Sequence, residues 1–90
     1  MKHIEQKKFL NLLQILSEVN RFQIIFLLKK GELCVCEIWQ KLGLPQNLVS
    51  HHLKILHEAG FLNKKKEGLK VIYSLDNKKL KEYKRLLNKL

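Results

Sequence analysis

The sequence predicts a mostly α-helical domain with one small β-hairpin, in the order α-α-α-α-β-β-α, which is a winged helix-turn-helix. Three observations carry that prediction. Apolar residues recur at helical spacing as far as Leu56, alternation replaces that spacing after Phe61, and helical spacing returns after Asp76. The four glycines and the lone proline punctuate these stretches. Ninety residues, 46% of them hydrophobic, suffice for a single domain (1–90) with one modest core.

Taken in order, Phe9, Leu12, Leu13 and Leu16 form a stripe on a first helix between Ile4 and Val19. A second helix, Arg21 to Lys30, is apolar almost all round and is expected at the buried centre, with Gly31 as its stop. A third, Val35 to Leu42, turns Ile38 and Leu42 inward and ends at Gly43. After the turn Gly43-Leu44-Pro45, a fourth helix from Gln46 to Ala59 carries the core stripe Val49, Leu53 and Leu56, and Gly60 closes it. These two short helices and their glycine-containing turn are the helix-turn-helix. Segments Phe61–Lys66 and Leu69–Leu75, joined by a turn at Glu67-Gly68, form the hairpin or wing. Asp76 is placed to cap a last helix whose apolar face is Leu80, Tyr83, Leu87 and Leu90. The first and last helices offer more apolar surface than so small a core uses, so a homodimer through Phe9–Leu16 and Leu80–Leu90 is expected.

The partner is indicated by charge. Eighteen Lys plus Arg against eight Asp plus Glu leave a formal net charge of +10, which favours a polyanion. The run Ile24-Ile25-Phe26-Leu27-Leu28 is far short of the roughly 20 apolar residues of a membrane span. A polar, charged stretch follows Met1, so a cytoplasmic protein without a signal peptide is expected. Nothing resembles a Ser/His/Asp grouping, a phosphate-binding glycine loop or paired carboxylates in an apolar setting, which argues against an enzyme and a small-molecule substrate.

On the fourth helix, Asn47, Ser50, His51 and Lys54 lie at i, i+3, i+4 and i+7 opposite the apolar stripe, with Gln46 at the N-terminal end. Such side chains suit base edges and phosphates in a major groove, although any exposed helix face is polar. The balance is tipped by the hairpin behind it, where Lys64, Lys65, Lys66 and Lys70 suit a wing lying along the phosphate backbone of duplex DNA. Paired exposed aromatics of the kind that stack on unpaired RNA bases are lacking. A winged helix serving only as a protein–protein assembly module remains the alternative of another class. His51 and His52 are adjacent and so are not expected to share a metal. His52 and His57 read as packing or surface residues, and Trp39 as core or dimer packing.

Cys34 and Cys36 are separated by one residue. A disulfide between them would close a tight ring, so a structural staple is not expected. Residues i and i+2 of a regular helix lie about 200° apart, so both sulfurs can grip one ion only if the first turn of the third helix is absent or unwinds.

Glu32-Leu33-Cys34-Val35-Cys36-Glu37-Ile38, Val49-Ser50-His51-His52-Leu53-Lys54-Ile55-Leu56, Ala59-Gly60-Phe61-Leu62 and Lys70-Val71-Ile72-Tyr73-Ser74-Leu75 together resemble the ArsR/SmtB family of metal-sensing winged-helix repressors. The resemblance runs from about Asn11 to Leu75, with Asn20-Arg21 at the place of the family's helix-opening pair. It implies a homodimeric transcriptional repressor whose fourth helix reads an operator and which metal binding releases. It also implies that Cys34 and Cys36 lie in the metal box, where thiolates suit As(III), Sb(III), Cd(II), Pb(II), Zn(II) or Cu(I) as inducer, none needed for folding. The chain departs from the family in its ligand set. Ile38 or Trp39 stands where arsenic sensors have a further cysteine, and the N-terminal cysteine of lead and cadmium sensors is missing. His3, on this chain or a second copy, is the candidate third ligand. Of the family's last-helix Asp/His site Asp76 remains, but Lys78 and Lys89 occupy the histidine positions and that site is lost. A constitutive repressor and a thiol-redox-responsive one stand as alternatives.

Overall fold

Helical spacing and punctuation produce the expected elements, with several joints displaced. The structure, a computed structural model, describes residues 1–89 as α1 (His3–Leu16), α2 (Val19–Leu28), β1 (Leu33–Cys34), α3 (Val35–Leu42), α4 (Gln46–Glu58), β2 (Leu62–Glu67), β3 (Lys70–Leu75) and α5 (Asn77–Leu87). The first joint falls earlier than expected. Ser17 Oγ donates to the Gln14 carbonyl at 2.9 Å, and the Glu18 carboxylate accepts from the Arg21 N–H at 2.9 Å. Glu18 therefore caps α2, and Val19 opens that helix instead of closing α1.

One core gathers the inward stripes: Ile24 of α2, Ile38 of α3, Val49, Leu53 and Leu56 of α4, Phe61, and Leu86 of α5 are fully buried. α2 is not the buried centre its composition suggests. Ile24 and Leu28 are buried, but Val19, Phe22 and Phe26 are 63%, 54% and 55% exposed. The reason is geometric: a helix in this arrangement meets its neighbours along one stripe, and the opposite face opens outward whatever its residues.

The outer helices also divide their stripes. Phe9 and Leu12 of α1 and Leu86 of α5 are buried within the protomer, while Leu13 and Leu87 remain open. Tyr83 is half-buried with its ring 5.0 Å from that of Phe61. Leu90, the last residue of the expected dimer stripe, lies outside the described residues. Lys8–Glu82 at 2.7 Å and Lys89–Glu5 at 3.1 Å join α1 to α5.

The wing is a three-stranded antiparallel sheet in the order β1-β3-β2, where the sequence predicts only a hairpin. The additional strand is Leu33–Cys34, pairing Leu33 with Tyr73 and Cys34 with Ile72. Two residues carry no readable alternation. The hairpin turn is Gly68-Leu69, one residue later than expected, because Glu67 pairs with Lys70. Gly68 has φ +61°, and no described residue other than glycine has a positive φ, which is the pattern of a type II′ turn with glycine first. That turn leaves Leu69 fully exposed at the wing tip.

Candidate nucleic-acid interface

The interface begins at the turn between α3 and α4. Gly43 caps α3 at φ 65°, ψ 31°, a left-handed conformation, and its N–H donates back to the Gln40 carbonyl. Pro45 then precedes the first turn of α4, where its missing N–H is no loss. Val49, Leu53 and Leu56 anchor α4 to the core, and Gln46, Asn47, Ser50, His51 and Lys54 are all exposed. No side chain caps the start of α4, so its first N–H groups stay free for an anion.

Beside this helix, the wing lysines are not equivalent. Along β2, Lys64 and Lys66 pair with Tyr73 and Val71, whereas Lys65 pairs with Ile72 and so points to the opposite face. The Lys65 ammonium lies 3.3 Å from both Glu32 and Glu67, and these carboxylates hold its pKa above the ordinary lysine value. Lys70, at the wing tip, lies across from Glu67.

The cysteines sit where α3, α4 and the wing converge. Cys34 is the N-cap of α3 in an extended conformation (φ −77°, ψ 160°), and only Cys36 lies within the helix. The Cys34 Sγ accepts from the Glu37 N–H at 3.3 Å while the Glu37 carboxylate accepts from the Cys34 N–H at 3.1 Å, forming a reciprocal cap. Cys34 is 3% exposed and Cys36 is open to solvent. The two are joined by a disulfide, contrary to expectation. With Cys34 outside the helix the 200° separation does not apply, and the Cα atoms are 5.3 Å apart, within the range a disulfide bridges. For the same reason the sulfurs meet without unwinding the first turn of α3. Together with Gln46, Ser50, Leu69 and Lys70, the pair lines a groove of about 440 Å³.

As a metal site, the pair supplies two soft donors once reduced. Among the described residues no group of three or more His, Cys, Asp or Glu is suited to hold an ion, so His3, exposed at the start of α1, is not brought to the cysteines within one chain. The donor chemistry fits a thiophilic ion, and the chain itself leaves that ion's coordination incomplete.

A polar cluster that the sequence did not point to lies behind the recognition face. His52 is 6% exposed, and Arg21 Nη1 lies 3.3 Å from its Nδ1. Arginine only donates, so Nδ1 accepts and the ring proton sits on Nε2, 3.7 Å from the Glu18 carboxylate. Burial pushes the His52 pKa below the ordinary histidine value, with Arg21 and His51 adding to the depression and Glu18 opposing it. Arg21 Nε also donates to the Ile15 carbonyl at 2.7 Å, so one guanidinium ties the end of α1 to the middle of α4.

An exposed polar helix held on its neighbour by a glycine turn, with a basic wing alongside, defines a winged helix-turn-helix regulator. No helix among the described residues is long and apolar enough to cross a membrane. The chain belongs to the arsR family of bacterial regulatory proteins, whose pattern it matches over residues 18–64. It is 34% identical over 85 residues to an uncharacterized HTH-type transcriptional regulator of Methanocaldococcus jannaschii, covering 93% of this chain and 96% of that one. It is also 34% identical over 71 residues to the arsenical resistance operon repressor of Staphylococcus xylosus, covering 79% and 68%. Among solved structures it is similar to HlyU of Vibrio cholerae, with a TM-score of 0.82, 32% identity, and 99% and 96% of the two chains covered.

Proposed function

We propose that this protein is a homodimeric transcriptional repressor that binds an operator through α4 and the wing. One observation carries the reading: Gln46 and Ser50, on the exposed polar face that also carries Asn47, His51 and Lys54, line one groove with Lys70 of the wing, whose β2 strand adds the exposed Lys64 and Lys66. Short polar groups select bases while the lysines neutralise phosphates and fix register. Two copies are joined through the open residues of α1, α2 and α5, including Leu13, Phe22, Phe26 and Leu87. That pairing sets the two recognition helices about one duplex turn apart on an imperfect palindrome.

A soft metal or metalloid ion is the proposed inducer. The reduced Cys34 and Cys36 would hold it, with His3 of the partner subunit, water or an added thiol as third ligand. When bound, the ion replaces two thiol protons, so affinity rises with pH. The route to DNA runs through this chain's own groups. Cys34 Sγ caps α3, which supports α4, and Cys34 is paired with Ile72 of the wing. A change at one sulfur therefore reaches both DNA-contacting elements.

The test is anisotropy on the chain's own upstream duplex, reduced, with and without a panel of soft ions. Tight binding lost on adding one ion, with the loss abolished in Cys34→Ser and Cys36→Ser, supports the reading. A double serine variant that dissociates at the same ion concentration as the parent overturns the sensor and leaves a constitutive repressor. The Cys34–Cys36 disulfide favours a second reading, in which thiol oxidation itself sets operator affinity. Operator binding that differs between oxidised and reduced protein without any metal selects it.

A further inference from the structure

The disulfide is chemically lopsided, and the lopsidedness predicts which sulfur reacts. Both cysteines line the groove, but Cys36 is exposed there whereas Cys34 is only 3% exposed, so a solvent-borne reagent meets Cys36 first. Cys34 Sγ also accepts the Glu37 N–H at the N-terminus of α3, a position that stabilises negative charge on sulfur. An incoming thiolate therefore has access to Cys36, and Cys34 is the better leaving group. The groove in front of Cys36 holds about 440 Å³ and is lined by Gln46 and Ser50 of α4 and by Leu69 and Lys70 of the wing tip.

We propose that Cys36 is a thiol-modification site, taking a low-molecular-weight thiol in mixed disulfide within the groove between recognition helix and wing. The exchange balances without an added oxidant. The thiolate sulfur bonds to Cys36 Sγ, the Cys36–Cys34 bond breaks, and the electron pair leaves on Cys34 Sγ, to which the Glu37 N–H donates a hydrogen bond. Reattack by Cys34 on Cys36 expels the thiol and restores the disulfide, so the modification is reversible. The adduct occupies the space beside Gln46, Ser50 and Lys70. With glutathione it also brings carboxylates to a surface proposed to receive phosphates, so modified protein releases DNA. That last step rests on the DNA-binding reading above; the choice of sulfur does not.

Glutathione is the probe. Oxidised protein is incubated with it, quenched with iodoacetamide and mapped by peptide mass spectrometry. Glutathione on Cys36 with carbamidomethyl on Cys34 is expected; glutathione mainly on Cys34, or on both alike, overturns the assignment. A second arm uses Cys34→Ser, because serine is itself a favoured N-cap and keeps α3 capped. Its Cys36 is converted to the stable mixed disulfide with glutathione disulfide, and thermal melting checks that the fold is kept. The adduct should bind operator at least about tenfold more weakly than the same variant with a free thiol, on the scale of one base interaction in the groove. Equal binding overturns the inference. Failure of the unmodified parent to bind any duplex DNA would instead sink the underlying function.

Discussion

His52 illustrates how one buried ring links sequence-distant elements and makes stability respond to pH. Its neutral form accepts from Arg21 and is favoured by burial, so its folded pKa lies below the ordinary value of about 6.5. The unfolded chain thus binds the proton first as pH falls, and this contribution, present above about pH 6.5, is lost on descending toward the depressed folded value. Thermal melts between pH 7.5 and 5.5 should show falling stability. His52→Gln, which keeps an acceptor for Arg21 and removes the titrating group, should flatten the decline. An unchanged slope in that variant would assign the effect elsewhere.

The recognition helix and wing make separable predictions at the scale of elements. Lys64→Ala, Lys66→Ala and Lys70→Ala should weaken binding to every duplex and lower the slope of log K against log salt by about 1 each. Lys65→Ala should do markedly less, because its ammonium is already shared by Glu32 and Glu67 on the other face of the strand. Asn47→Ala and His51→Ala should reduce preference for operator over random DNA, by about 1–3 kcal/mol for each hydrogen-bonded base pairing removed. Equal losses on both duplexes for all of these would refute the division. The turn that sets the angle between α3 and α4 has its own test. A Cβ on Gly43 meets nothing within 4 Å, so Gly43→Ala is penalised by its φ of +65° alone. Denaturant titration should record a loss of about 1–2 kcal/mol, partly recovered in Gly43→Asn, since asparagine tolerates that conformation.

At the scale of the whole molecule, surface and shape bear on the proposed second copy. The radius of gyration is 13.8 Å, against about 12 Å for a compact domain of this length. The accessible surface is 6319 Å², where a compact monomer of 10.7 kDa has about 5,500 Å². The wing, with Leu69 fully exposed at its tip, and the open apolar residues of α1, α2 and α5 both add to this surface. Phe22 and Phe26 stack 6.4 Å apart on the outside of α2 and line a hollow with Leu80 of α5. Phe26→Glu should therefore yield a folded monomer in sedimentation at micromolar concentration, with circular dichroism preserved. A parent that is itself monomeric there would remove the dimer from the proposal.

The sequence by itself determined the element order, the core stripe Val49–Leu53–Leu56, the polar face of α4 and the basic hairpin. Each of these is written in local periodicity and charge, which survive being read in one dimension. Only the tertiary structure decided what depends on residues far apart in the chain. Pairing of Cys34 with Ile72 holds the first cysteine extended at the cap of α3, where its sulfur meets that of Cys36 in a bonded pair that the sequence did not lead one to expect. The shift of the wing turn to Gly68-Leu69 followed from cross-strand register, and the exposure of Phe22 and Phe26 from which side of α2 the other helices occupy. The Arg21–His52–Glu18 cluster joins α2 to α4 across 31 residues, a proximity that no spacing rule encodes. Local pattern states which side chains should be buried or exposed, and the packing of distant elements settles which partner each one meets.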